Sequence, residues 1–221
     1  MSFGYQEADS ESFAESWLTD VSTINVGPYM ALRLSDDWAT DFSLTYTASQ
    51  IAMNLVGLVG QIDSHSIGGA AGLHGNLQAG RLTIRPSATL SYTHAATADY
   101  QLRGQLFGRQ ILLDLAESSA NSGNLEVTTE VSQLFVTANG TLLVPYVEVG
   151  GNWAFERAAG GAILTGDLTM AFPSAWSFTL RGGLRVLLSN AVSLEAGAAY
   201  LSIGQAGLDQ YEGMVRVSFG F

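Results

Sequence analysis

Cysteine and lysine are both missing from the 221 residues, and no apolar run is long enough to cross a bilayer as a helix. The lack of cysteine excludes a disulfide framework, thiolate metal centres and a cysteine nucleophile. The lack of lysine leaves nine arginines as the whole basic complement against 20 acidic residues, for a net charge of −11. A chain of that sign cannot neutralise phosphates, so nucleic acid is excluded as a partner. The opening MSFGYQEADSES has neither a basic n-region nor an apolar h-region, so it is not a signal peptide. Charge in general is scarce: 13% of residues carry it, where a soluble domain has about 25%.

What is present is apolar surface, with 47% hydrophobic residues and a mean hydropathy of +0.20. A helical membrane protein would concentrate that surface in runs of about 18 residues or more. Here it is diluted by alternating polar residues. Inside lipid only helices and closed barrels satisfy every backbone polar group, so an apolar chain without spanning helices points to a barrel. A large soluble β-sandwich is the competing architecture.

Period-two alternation recurs along the chain. From Trp176 to Ser189, residues Trp176, Phe178, Leu180, Leu184, Val186 and Leu188 share one face, while Ser177, Thr179, Arg181 and Arg185 share the other. The last segment places Tyr211, Val215, Val217, Phe219 and Phe221 opposite Glu212, Met214, Arg216 and Ser218. Similar segments are Ala191 to Gly204, Thr141 to Arg157, Gly123 to Thr137 and Arg81 to Ala95. Weaker ones are His65 to Gln78, Ala39 to Ile51, Val21 to Leu34 and a truncated strand at residues 2–7. The expectation is an all-β, antiparallel up-and-down transmembrane barrel, a single domain over 1–221, with about ten strands in the chain.

Connection lengths carry a second signal. Tight turns fall at Ser35 to Trp38, Ala79 to Gly80, Asn139 to Gly140 and Ser189 to Asn190. Longer links fall at about residues 8–20, 53–64, 96–122, 158–175 and 205–209, so every second connection is tight. Outer-membrane barrels have short periplasmic turns and long external loops, which places the C-terminus on the periplasmic side. Residues 105–122 break the alternation, and their sequence fits either an extension into an external hairpin or a short helix.

In order, the hairpin VGPYMALRLSDDWATDFSLTYTAS, the pair GLHGNLQAGRLTIRPSATLSYTH, the strand TLLVPYVEVGGNWAFE and the three terminal strands ending VRVSFGF resemble the C-terminal β-barrel translocator domain of the autotransporter family, the type V secretion proteins of Gram-negative bacteria. The resemblance implies a 12-stranded barrel threaded by a helix that leads out to a secreted passenger. On that pattern the chain starts about two strands late, and the first strands, lumenal helix and passenger polypeptide are expected upstream of Met1. The family's C-terminal aromatic, read by the barrel assembly machinery, is matched by Phe221 with Phe219, Val217 and Val215; Arg216 stands where a glycine is usual.

The functional expectation is an outer-membrane translocator that secretes or displays an N-terminal passenger, with outer-membrane lipid, the assembly machinery and the passenger as partners. A small passive porin or channel is the alternative. Neither reading makes the chain an enzyme or calls for a cofactor or metal.

The charges predicted to face the lumen are Arg33, Arg85, Arg181, Arg185, Arg216, Glu126, Glu130, Glu148, Glu156, Glu195 and Glu212. They either hold a threaded segment or pair among themselves. His65, His74 and His94 match no metal-ligand spacing. Ser91 or Asp99 with His94 makes a hydrolase pair only on paper. Trp38, Tyr46, Tyr92, Trp153, Trp176, Tyr200 and Phe221 suit interfacial girdles.

Overall fold

The computed structural model describes residues 2–12, 17–55, 57–106, 108–157, 163–164, 170–171, 174–189, 192–205 and 208–219. Its strands are β1 (Ser2–Ser12), β2 (Trp17–Gly27), β3 (Tyr29–Arg33), β4 (Trp38–Leu55), β5 (Leu58–Gly75), β6 (Leu77–Ala79), β7 (Leu82–Thr97), β8 (Tyr100–Leu106) and β9 (Arg109–Leu115). They continue with β10 (Ser118–Gln133), β11 (Phe135–Val136), β12 (Leu142–Glu156), β13 (Ile163–Leu164), β14 (Met170–Ala171), β15 (Trp176–Ser189), β16 (Val192–Ile203) and β17 (Tyr211–Phe219). One sheet runs in the order β1-β2-β4-β5-β7-β10-β12-β15-β16-β17. Sequential neighbours throughout make an up-and-down topology, without the Greek-key crossings and paired sheets of a sandwich.

The chain divides into two compact units, residues 1–30, 42–70 and 91–122 in one, and 31–41, 71–90 and 123–221 in the other. In the first, β1 pairs antiparallel with β2 from Ser2↔Gly27 to Ser12↔Trp17, and β2 pairs with β4 from Trp17↔Leu55 to Val26↔Tyr46. The segment expected as one strand from Val21 to Leu34 breaks at Pro28, which has no N–H to donate. Its carbonyl still accepts from Leu44 N at 3.1 Å. A Cβ on Gly27 would meet Leu44 O at 1.8 Å, so only glycine permits this approach.

Among the described residues, the stretches expected as links at 8–20, 53–64 and 96–122 are mostly strand, whereas most of 158–175 lies outside the described residues. β4 and β5 run 18 residues each and leave residues 56–57 between them, whereas crossing a bilayer takes about 9 to 11. The undecided stretch is a hairpin: β8 pairs β9 from Tyr100↔Leu115 to Leu106↔Arg109, with Gly108 at φ 75° near its tip. β8 also pairs with the start of β5 at Leu58↔Gly104 and Val59↔Arg103. Leu102 approaches Gly60, and Leu58, Ile62 and Leu102 are buried. Leu58 and Ile62 lie on the otherwise polar face of β5, where the sequence pattern gives no sign of a small core.

In the second unit, β10 pairs β12, β12 pairs β15, β15 pairs β16 and β16 pairs β17, all antiparallel. The Asn139-Gly140 turn closes through Thr137 N to Thr141 O at 2.9 Å, with Gly140 at φ 81°. Gly80, at φ 66°, turns β6 into β7. At the Ser35 turn, Ser35 Oγ accepts from Asp37 N at 3.3 Å and Trp38 N at 3.2 Å. The expected Ser189-Asn190 turn lies partly outside the described residues.

No large side chain among the described residues is fully buried, while Val147 (53%) and Val149 (54%), together with Phe178, Leu180, Val215 and Val217, are exposed. In water such a stripe is a liability; in lipid it is the solvated face. No helix among the described residues is long and apolar enough to span a membrane.

Candidate functional site

Alternation puts the charges of β7, β10, β12, β15, β16 and β17 on one face, and register then decides which of them meet. Glu130 stands directly opposite Glu148, a pairing of like charges that is unfavourable alone. Arginines resolve it. Glu130 accepts Arg85 Nη1 at 2.9 Å, and Arg185 grips it with Nη1 at 2.9 Å and Nη2 at 2.7 Å. The same Arg185 donates Nε to Glu195 at 3.0 Å, its partner in register. Arg181 donates to Glu148 at 2.9 Å and to Glu212 at 3.3 Å.

The contacts form two clusters that together link six strands, Arg85–Glu130–Arg185–Glu195 and Glu148–Arg181–Glu212, the first held by a forked guanidinium contact of the kind that only arginine makes. The Glu130 side chain is 10% exposed and those of its two arginines 30% and 49%, so the carboxylate is shielded while the cations reach water. An all-arginine basic set suits this geometry, since Arg181 and Arg185 each bridge two carboxylates on different strands.

Tyr146, on the same face of β12, is 4% exposed and lies under Arg185, whose guanidinium carbon sits 4.1 Å from the ring centroid. A Cβ on Gly183 or Gly197 would come within 2.7 or 2.8 Å of the Tyr146 hydroxyl, so two glycines on β15 and β16 form the seat for its ring. Tyr146 and the two glycines are not among the expected site residues. The signal available in the sequence was an aromatic on the polar face facing small residues on neighbouring strands.

The remaining expected charges stay apart. Arg33 remains at its turn, bound to Asp36 at 2.7 Å and Ser35 O at 3.0 Å, with its side chain 70% exposed. Glu126 lies opposite Asn152, Glu156 opposite Gly123 and Arg216 opposite Glu195. None of these three makes an ion pair among the described residues. Val215, Val217 and Phe219 are exposed on β17 in register with Ala196, Leu194 and Val192, whereas Phe221 lies outside the described residues.

The histidines do not converge, and no group of three or more metal-ligating side chains occurs among the described residues. His94 Nδ1 pairs with Asn121 Oδ1 at 2.7 Å rather than with Ser91 or Asp99. His74 instead joins Asp41, 2.6 Å from Nε2, to Ser87, 2.9 Å from Nδ1. On the opposite, apolar face, Trp153 stacks on its register partner Trp176 at 5.3 Å, and Tyr200 on Tyr211 at 4.9 Å. Both pairs sit at strand ends, where interfacial aromatics belong.

Comparison with known proteins places this geometry. The chain resembles the translocator domain of the autotransporter NalP from Neisseria meningitidis with a TM-score of 0.56 at 12% identity, covering 93% of this chain and 68% of that one. The beta domain of the Bordetella autotransporter BrkA aligns with a TM-score of 0.34 at 15% identity over 97% of this chain and 80% of that one. No curated protein sequence matches. The model of the autotransporter beta-domain family matches residues 1–199. The match runs from β1 into β16 and takes in every charge of the two clusters but Glu212, and the chain belongs to the autotransporter β-domain family.

Proposed function

We propose that this chain is an outer-membrane translocator barrel that supports secretion or surface display of a passenger polypeptide. The observation that carries the reading is the family match over residues 1–199; the exposed apolar stripe and the charged face opposite it supply the physics. The apolar face replaces water with lipid, the hydrogen-bonded wall satisfies the backbone, and the polar face lines the lumen. The C-terminus faces the periplasm, the tight turns at Ser35, Gly80 and Gly140 lie on that side, and the long β4–β5 and β8–β9 hairpins project outward. The terminal strand with Val215, Val217, Phe219 and Phe221 is the segment offered to the assembly machinery.

In this role the arginine–glutamate clusters brace the wall. Their carboxylates are neutralised locally, and the exposed guanidinium edges of Arg85 and Arg181 remain available to polar groups of a polypeptide in the lumen. Nothing in that role involves bond-making. The experiment is surface display: an epitope-tagged domain fused ahead of Met1 should become sensitive to external protease on intact cells. An epitope that stays protected while the barrel is folded in the outer membrane would instead favour a passive channel.

A further inference from the structure

Three strands place an aspartate, a histidine and a serine in one hydrogen-bonded row on the polar face. Asp41 lies on β4, His74 on β5 and Ser87 on β7, neighbours in the sheet. Asp41 Oδ1 is 2.6 Å from His74 Nε2, and Ser87 Oγ is 2.9 Å from His74 Nδ1. The row depends on Gly72: a Cβ there would meet Asp41 Oδ1 at 2.4 Å and His74 Nε2 at 2.6 Å. Any side chain at position 72 would therefore fill the space in which the aspartate reaches the ring. Thr40 Oγ1 donates to Gly72 O at 2.7 Å and ties β4 to β5 at this point.

The order of roles is that of an activated serine. An imidazole that donates Nε2–H to Asp41 is left with a lone pair on Nδ1, directed at the Ser87 hydroxyl. Such a constellation is recognised by geometry and not by chain order or ring orientation. The Asp41 side chain is one-quarter exposed and that of His74 nearly half, so the carboxylate is sheltered while the imidazole is open to solvent. Arg85 lies on the same face of β7, two residues from Ser87 and about 7 Å along the strand. Its half-exposed guanidinium donates to Glu130 on β10 at 2.9 Å.

We propose that Ser87 is a nucleophile, with His74 as its general base, Asp41 as the positioning residue and carboxylic esters as the substrate class. Ser87 Oγ adds to the ester carbonyl while its proton passes to His74 Nδ1. The carbon–oxygen bond to the alcohol then breaks, the departing oxygen takes that proton, and an acyl ester of Ser87 remains. Water, deprotonated by the same nitrogen, displaces Ser87 and releases the carboxylic acid. The activity goes beyond translocation and would survive if the transport reading failed.

The test is covalent labelling of the folded full chain in detergent with a small alkyl fluorophosphonate, mapped by peptide mass spectrometry. Labelling is expected at Ser87 and not at Ser91, four residues along the same strand. His74→Asn should slow it about a hundredfold, the scale of a lost general base. Asp41→Asn and Gly72→Ala should slow it while the folded form's gel mobility is unchanged. The site map on the unaltered chain needs no variant to fold. Absence of label at Ser87, equal rates at Ser87 and Ser91, or an unchanged rate in folded His74→Asn would overturn the proposal.

Discussion

At the scale of single residues, the larger charged cluster turns on Glu130. It holds two arginines, one of which, Arg85, has no other counter-charge among the described residues, and it is the least exposed carboxylate of the set. Glu130→Gln should therefore lower stability by about 1–3 kcal/mol, a buried-pair loss discounted for the exposure of the two arginines. Arg85→Met should cost roughly 0–1 kcal/mol, because Arg185 still holds the carboxylate. Both values are read from unfolding midpoints in detergent, and an equal effect of the two would refute the hierarchy. The Tyr146 seat gives a second contrast. Gly183→Ala drives a Cβ into the tyrosine hydroxyl and should cost about 1–3 kcal/mol. Gly213→Ala, where nothing lies within 4 Å of the new carbon, should change little. The charged positions were readable from alternation, since parity alone assigns a face. Which of them pair was not, because register across β7, β10 and β12 is set by turns and bulges distant from the charges. Asp41, His74 and Ser87 fall 33 and 13 residues apart, with no local spacing to mark them.

At the scale of elements, the tight turns were legible because they use residues with a stereochemical reason to be there. Gly80 and Gly140 adopt positive φ with nothing near their Cα hydrogens. Alanine at either should cost about 1 kcal/mol through backbone strain alone, measurable as a lowered unfolding midpoint without loss of the hairpin. The strand extensions were misread as links for an equally physical reason. Beyond the lipid band both faces of a strand meet water, so alternation ends while hydrogen bonding continues. Gln50 and Asp63 bond to each other at 3.2 Å across β4 and β5, where the sequence pattern had placed the end of one strand and a link. The β8–β9 hairpin was undecidable from sequence because Ile111, Leu112 and Leu113 form an unbroken apolar run that fits helix or strand equally.

At the scale of the whole molecule, the question is which solvent the apolar face meets. Val149→Arg discriminates. On a water-facing sheet an exposed valine-to-arginine change is nearly neutral, whereas at the midplane of a membrane barrel it costs about 2–4 kcal/mol. Refolding yield into lipid vesicles should fall accordingly, and an unchanged yield would speak for water. The absence of cysteine allows a more direct measurement, because single cysteines introduced from Trp176 to Leu188 can be spin-labelled without background. In lipid bilayers, accessibility to oxygen should peak at positions 176, 178, 180, 182 and 184. Accessibility to a water-soluble nickel chelate should peak at positions 177, 179, 181, 183 and 185. Two such profiles in antiphase with period two are the result expected of a strand with lipid on one side and a polar lumen on the other. Chelate access to both faces, or no alternation, would contradict it.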